Sequence, residues 1–143
     1  AGEGAWSLSA SRKKLMSLAL VVDDSMLIRH TVCRYLEERG WSVEAVTDGD
    51  EAVQALQTLR PHLIVTDMAM PRMTGSELIT ELKKHPETAH IPIIILCGRN
   101  SEREAKAIEH RAECAIYKDI DIIAQLDTAL TIALAGFRPA GRS

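Results

Sequence analysis

LALVVDDS, Leu18 to Ser25, is a five-residue apolar run that stops at two carboxylates and a hydroxyl. Five residues are too few for a helix, and the valines at the end favour an extended chain. The run therefore predicts a buried strand over 18–22. Ser25 then supplies an N-cap for a helix in which Leu27/Ile28, Thr31/Val32 and Tyr35/Leu36 recur every four residues. Gly40 ends that helix, as a glycine just past the last turn commonly does. One strand followed by one helix is the unit from which the chain is built.

Four more such units follow. Trp41–Val46 predicts a second strand, Asp48-Gly49 a turn, and Ala52/Val53, Leu56 and Leu59 a helix that halts before Pro61. A third strand is expected over His62–Thr66. Beyond a loop with Pro71, Thr74-x-x-Glu77 forms a capping box for a helix over Ser76–Lys84. Ile91–Cys97 predicts a fourth strand, with Pro92 at its start where a missing N–H is tolerated. Ser101-x-x-Glu104 is a second capping box, opening a polar helix to about Ala112. Ala115–Tyr117 is a short fifth strand, and Asp121–Ala135 a last helix carrying Ile122, Ile123, Leu126, Leu130, Ala133 and Leu134. Alternation of this kind implies an α/β fold with a parallel sheet covered by helices on both faces.

The chain has 143 residues, 46% hydrophobic and 26% charged, so one domain with a real core is expected over 16–136. Residues 1–15 read as a loose extension, tag or linker, and 137–143 as a flexible tail. Seventeen basic residues face twenty acidic ones, for a net charge of −3, and the aromatics are two Trp, two Tyr and one Phe. That balance offers neither a basic face nor stacking platforms for nucleic acid. Cys33, Cys97 and Cys114 are odd in number and lack a CxxC, which fits reduced thiols in a cytoplasmic protein. No stretch reaches the ~18 apolar residues of a membrane helix. Arg12-Lys13-Lys14 ahead of the first apolar run imitates a signal peptide, but Asp23-Asp24 cuts the run short with no small-x-small cleavage site.

In an open parallel sheet, ligands bind beyond the carboxyl ends of the strands. That rule brings Asp23, Asp24, Asp67, Cys97 and Lys118 to one edge. No Gly-rich loop follows the first strand, so a dinucleotide or P-loop site lacks its phosphate cradle. Crowded carboxylates need a positive charge, and Mg2+ suits oxygen ligands with waters and a substrate phosphate. A carboxylate can also attack phosphorus and form an aspartyl phosphate, with Lys118 as a fixed cation for phosphoryl oxygens. The residue types alone point to metal-assisted phosphoryl transfer to a carboxylate.

The motifs VVDDS (Val21–Ser25), IVTDMAMPRMTG (Ile64–Gly75), IPIIIL (Ile91–Leu96) and YK (Tyr117-Lys118) stand in an order and spacing that resemble a response-regulator receiver domain of two-component signalling, across nearly all of residues 17–135. The resemblance implies a flavodoxin-like (βα)5 sheet of strand order 2-1-3-4-5. It implies that Asp67 is the phosphoacceptor and that Asp24, Asp67 and the Ala69 backbone carbonyl bind Mg2+, with Asp23 acting through water. Lys118 would pair with the acyl phosphate, and Pro71 and Gly75 would shape the loop. The implied partners are a histidine kinase or histidine phosphotransfer protein, and an output partner or fused output domain. Such a domain is not a conventional enzyme, but it catalyses its own phosphorylation and slow dephosphorylation.

Four positions depart from the family pattern. Cys97 stands where Thr or Ser is usual, Gly98 where Ala is, Ala115 where an aromatic residue is, and Asp119 where proline follows the lysine. A thiol is a weak donor and alanine has no ring to move, so the departures fall on readout rather than on chemistry. A second reading is therefore a pseudo-receiver, the same fold used as a protein-interaction module without phosphorylation. The bland alternatives are that the aspartates cap helices and end strands, and that Cys97 is an inert small side chain rather than a redox sensor. His30, His62, His85, His90 and His110 lack metal-ligand spacing, and Met68, Met70 and Met73 suggest loop packing or a partner surface. Ala129, Ile132 and Leu134 would extend the stripe of the last helix towards a homodimer or output surface.

Overall fold

A computed structural model of the chain describes residues 17–68, 73–98, 112, 114–118 and 121–135. Its strands are β1 (Leu18–Val22), β2 (Ser42–Val46), β3 (Leu63–Asp67), β4 (Ile93–Cys97) and β5 (Cys114–Tyr117). Its helices are α1 (Met26–Glu38), α2 (Gly49–Ala55), α3 (Gly75–Lys84), the short α4 (Pro86–Ala89) and α5 (Ile122–Ala135). The strands make one parallel sheet in the order β2-β1-β3-β4-β5, the flavodoxin-like order expected. The proposed helix from Ser101, the extension 1–15 and the tail 137–143 lie outside the described residues. No described helix is long and apolar enough to cross a membrane.

Period-two alternation along the strands builds two cores, one on each side of the sheet. Leu20, Val22, Ile64, Ile93, Ile95 and Cys97 face one side and pack with Ala52 and Leu56 around α2 and with Leu78, Ile79 and Leu82 of α3. Ala19, Val21, Leu63, Val65, Ile94, Leu96 and Ile116 face the other, against Val32, Tyr35 and Leu36 of α1 and Leu126, Ala129 and Ala133 of α5. Ala129 is thus core and does not belong to an outer stripe; of the three residues expected there, Ile132 is exposed and Leu134 half-buried.

The boundaries that moved did so for local hydrogen-bonding reasons. Ser25 caps α1 by accepting from Ile28 N–H. Gly40, at φ 92°, then lets its own N–H reach Glu37 O and Trp41 N–H reach Leu36 O, the paired closure of a Schellman stop. Trp41 is spent on that closure, so β2 starts at Ser42. Ile91 N–H bonds to Thr88 O and Pro92 has no N–H, so β4 starts at Ile93 rather than Ile91. α2 ends at Ala55, where the Arg60 guanidinium takes up the carbonyls of Leu56 and Leu59. α4 was not foreseen: Pro86 opens it, and the buried Thr88 hydroxyl ties it to Leu82 O at 2.7 Å.

α1 and α5 are joined by polar contacts to Asp127, 92 residues along the chain from Tyr35. The buried Tyr35 hydroxyl donates to Asp127, and Arg39 stacks 3.7 Å over the Tyr35 ring while reaching Asp127 at 3.2 Å. Burial, then the Asp127 carboxylate, pushes the Tyr35 phenol from 10.0 up to about 12. A phenol raised in the folded state gives its full stabilisation below the unfolded value near 10 and loses it as pH climbs towards the folded one. Alkaline titration followed by phenolate absorbance should show one tyrosine ionising near pH 12 that vanishes in Tyr35→Phe. The wild-type advantage in urea midpoint over that variant should shrink between pH 10 and about 12.

Candidate functional site

The carboxyl ends of β1, β3 and β5 meet at one edge of the sheet. β1 delivers Asp23, whose N–H is fixed by Val46 O at 3.1 Å and whose carbonyl accepts from the Arg29 guanidinium at 2.9 Å. β3 ends on Asp67, opposite Leu96 in register, and Met68 N–H continues to Leu96 O. β5 runs straight into Lys118, whose N–H bonds to Cys97 O at 2.9 Å.

The side chains converge there. Lys118 Nζ lies 2.9 Å from Asp67 Oδ1 and 3.1 Å from Asp23 Oδ2, bridging two carboxylates that are almost wholly out of water. Ser25 N–H donates to Asp23 Oδ1 at 2.8 Å. Burial raises the Asp23 carboxyl above its ordinary value, against the pull of Ser25 N–H and Lys118. For Lys118 burial works downward, but the hydrogen bond it donates to Asp67 and the charges of Asp23 and Asp67 outweigh it and set the ammonium above the usual lysine value. The ammonium is thus held charged by its attraction to the two carboxylates, in a medium where Coulomb forces are strong.

The donor set suits a hard divalent cation. Asp23, Asp24 and Asp67 each present a carboxylate oxygen within 4.8 Å of the others, and Asp24 is exposed on the open side. Asp23 Oδ2, though buried and beside the ammonium, has no aligned hydrogen-bond donor among the described residues. A buried oxygen in that condition is one a metal or its water would satisfy. Asp23, Asp24, Asp67 and Lys118 are therefore brought together as expected, while Ala69 and Pro71 lie outside the described residues.

Cys97 is at the site by backbone but turned into the core. It is fully buried, with Sγ 3.5 Å from Ile116 O, which favours the small inert side chain over an accessible redox thiol. Ala115 and Tyr117 pack towards the same core as Cys97. Met68 is core as well, whereas Met73 is half-buried and sits over Gly49. Sequence reasoning missed two polar groups: Arg29, which holds the Asp23 carbonyl, and Gln125, whose carboxamide bonds both backbone groups of Tyr117. The one signal for Gln125 was a single amide within an otherwise apolar turn, Ile122, Ile123 and Leu126.

The model of the response regulator receiver domain matches residues 19–130. A two-component response regulator of Oryza sativa, ORR12, is 37% identical over 106 residues, spanning 73% of this chain and 88% of the rice protein. The gliding motility regulatory protein of Myxococcus xanthus is 35% identical over 116 residues, 78% of this chain but 15% of that much longer protein. Among solved structures, the signal receiver domain of a histidine kinase from Syntrophus aciditrophicus superposes with a TM-score of 0.75 at 30% identity, covering 89% of this chain and 97% of its own.

Gly75 sets how closely α3 approaches the acidic edge. Its N–H bonds to Met68 O at 3.0 Å, and a Cβ there would lie 2.2 Å from Asp67 O and 3.0 Å from Met68 Cα. Both are backbone atoms and cannot rotate away. Gly75→Ala should cost about 1–3 kcal/mol in urea unfolding. A Cβ on Gly98 meets nothing within 4 Å among the described residues, so Gly98→Ala should stay within about 0.5 kcal/mol of wild type.

Proposed function

The chain belongs to the response-regulator receiver domain family, and on that premise we propose that it accepts a phosphoryl group on Asp67, with Mg2+, and thereby switches the interactions of a partner. The observation that supports this reading is the placement of Lys118 Nζ between Asp67 and Asp23 at the carboxyl edge of the sheet. The donor is a phosphohistidine on a histidine kinase or phosphotransfer protein. A carboxylate oxygen of Asp67 forms a bond to phosphorus as the P–N bond breaks, and the released imidazole takes a proton.

Asp24, Asp67 and the Ala69 carbonyl, with Asp23 through water, would hold Mg2+, which would supply positive charge against the phosphoryl oxygens. Lys118 supplies the second positive charge. It is only partly exposed, so its ammonium is already desolvated and aimed before the group arrives. Formation of the acyl phosphate removes the negative charge of Asp67 and puts the phosphoryl charge in its place, and Lys118 follows the stronger anion. Ser25 N–H and Arg29 keep Asp23 from following it. Slow hydrolysis by water at the same site returns the free carboxylate.

Output passes to a separate partner or a fused domain, in the cytoplasm and without nucleic-acid contact by this domain. Homodimerisation would use the outer face of α5, where Ile123 and Ile132 are exposed. The pseudo-receiver reading draws on Cys97 and Ala115, which leave no hydroxyl and no ring at the usual readout positions.

Intact mass after incubation with Mg2+ and acetyl phosphate should show one added phosphoryl group, and none in Asp67→Asn. Failure to gain mass, joined by failure to bind beryllofluoride with Mg2+, would overturn the phosphoacceptor reading in favour of the pseudo-receiver.

A further inference from the structure

β5 is an edge strand: β4 lies on one side and, among the described residues, no strand lies on the other. In a parallel ladder the N–H and C=O of one residue point the same way, and successive residues point to opposite sides. Lys118 N–H turns inward to Cys97 O. The N–H and C=O of Tyr117 therefore turn outward, where a further strand would be needed to pair them.

Gln125 of α5 takes the place of that strand. Tyr117 N–H donates to Gln125 Oε1 at 2.9 Å, and Gln125 Nε2 donates to Tyr117 O at 2.8 Å. A carboxamide carries the donor and acceptor of a peptide, so it completes the ladder with one side chain. Nε2 also donates to Asp121 O at 3.2 Å, which fixes the rotamer from its own helix.

We propose that Gln125 is a positioning residue for Lys118, its carboxamide holding the Tyr117–Lys118 peptide so that the ammonium stays aimed between Asp23 and Asp67. This rests on the phosphoacceptor reading of the site. The peptide unit joining the two residues is gripped from both sides: its C=O by Gln125 Nε2 and its N–H by Cys97 O. Rotation of that plane would swing the lysine stem. With both groups bonded it cannot rotate without losing a hydrogen bond. The aspartates stand on β1 and β3, out of reach of this grip, so Gln125 governs the phosphoryl-binding cation and not the metal-binding carboxylates.

The test uses Gln125→Met in the full chain, a substitution that keeps side-chain length and helix propensity, beside Leu130→Ala, which removes α5 packing and leaves the carboxamide in place. Gln125→Met should weaken beryllofluoride binding at saturating Mg2+ about tenfold, leave Mg2+ affinity within about twofold, and speed exchange of the Tyr117 amide hydrogen about tenfold or more. Leu130→Ala should lower the urea midpoint yet leave beryllofluoride affinity within about twofold. Unchanged beryllofluoride affinity in Gln125→Met, or an equal loss in Leu130→Ala, would overturn the assignment. If the wild-type chain neither binds beryllofluoride nor gains mass with acetyl phosphate, the phosphoacceptor reading fails. The grip is then judged by Tyr117 exchange alone, and unchanged exchange in Gln125→Met overturns it.

Discussion

Two carboxylates withdrawn from water and one ammonium between them set the terms for everything at the carboxyl edge of the sheet. Asp23 and Asp67 are nearly inaccessible and lie on neighbouring strands. Leaving such charges unpaired costs about 3–5 kcal/mol, so the fold must bring a cation from elsewhere in the chain. It does so from β5, the strand farthest along the sequence, with β4 as the spacer that sets the reach. The close approach at Gly75 and the cap at Ser25 are secondary consequences: each brings backbone up to a carboxylate strand end without adding bulk or charge there.

How much of this was legible in the residues depends on the range of the interaction concerned. Leu18–Val22 and the Thr74/Glu77 capping box were read correctly, because a short apolar run and a cap are decided by near neighbours. The site was legible for a related reason: strand ends in a parallel sheet share an edge, so the order of the residues alone places Asp23, Asp67 and Lys118 together. The covering of α5 was not legible. Its apolar residues run almost all the way round, and periodicity gives no hint that Ala129 faces inward while Ile132 does not. The partners of Arg29 and Gln125 were hidden too, since each binds backbone whose position only the assembled sheet defines.

The two sides of the sheet serve the site differently. Asp67 is tied through Met68 and Gly75 to the core that holds α2 and α3, and Cys97 lies in that same core. Lys118 is tied through the Tyr117 backbone and Gln125 to α5, which packs in the other core with α1, while its own N–H is held by Cys97 O. The ion pair between Asp67 and Lys118 therefore spans the two halves of the molecule. A change in the charge of Asp67 alters a contact on which both halves bear. The departures at Cys97 and Ala115 fall within one of these halves only.

The tie between Tyr35 and Asp127 has a consequence for how the polypeptide assembles. α1 is synthesised before most of the sheet, but the helix that covers Val32, Tyr35 and Leu36 follows all five strands. Until it arrives, the face of β1, β3 and β4 that carries Val21, Val65 and Leu96 lacks half its cover, a long-range closure of the kind that slows folding and exposes apolar surface. Nascent chains that stop short of α5 should thus be prone to self-association and draw on chaperones. The opposite face, built from α2 and α3 close in sequence to its strands, can consolidate while the ribosome is still at work.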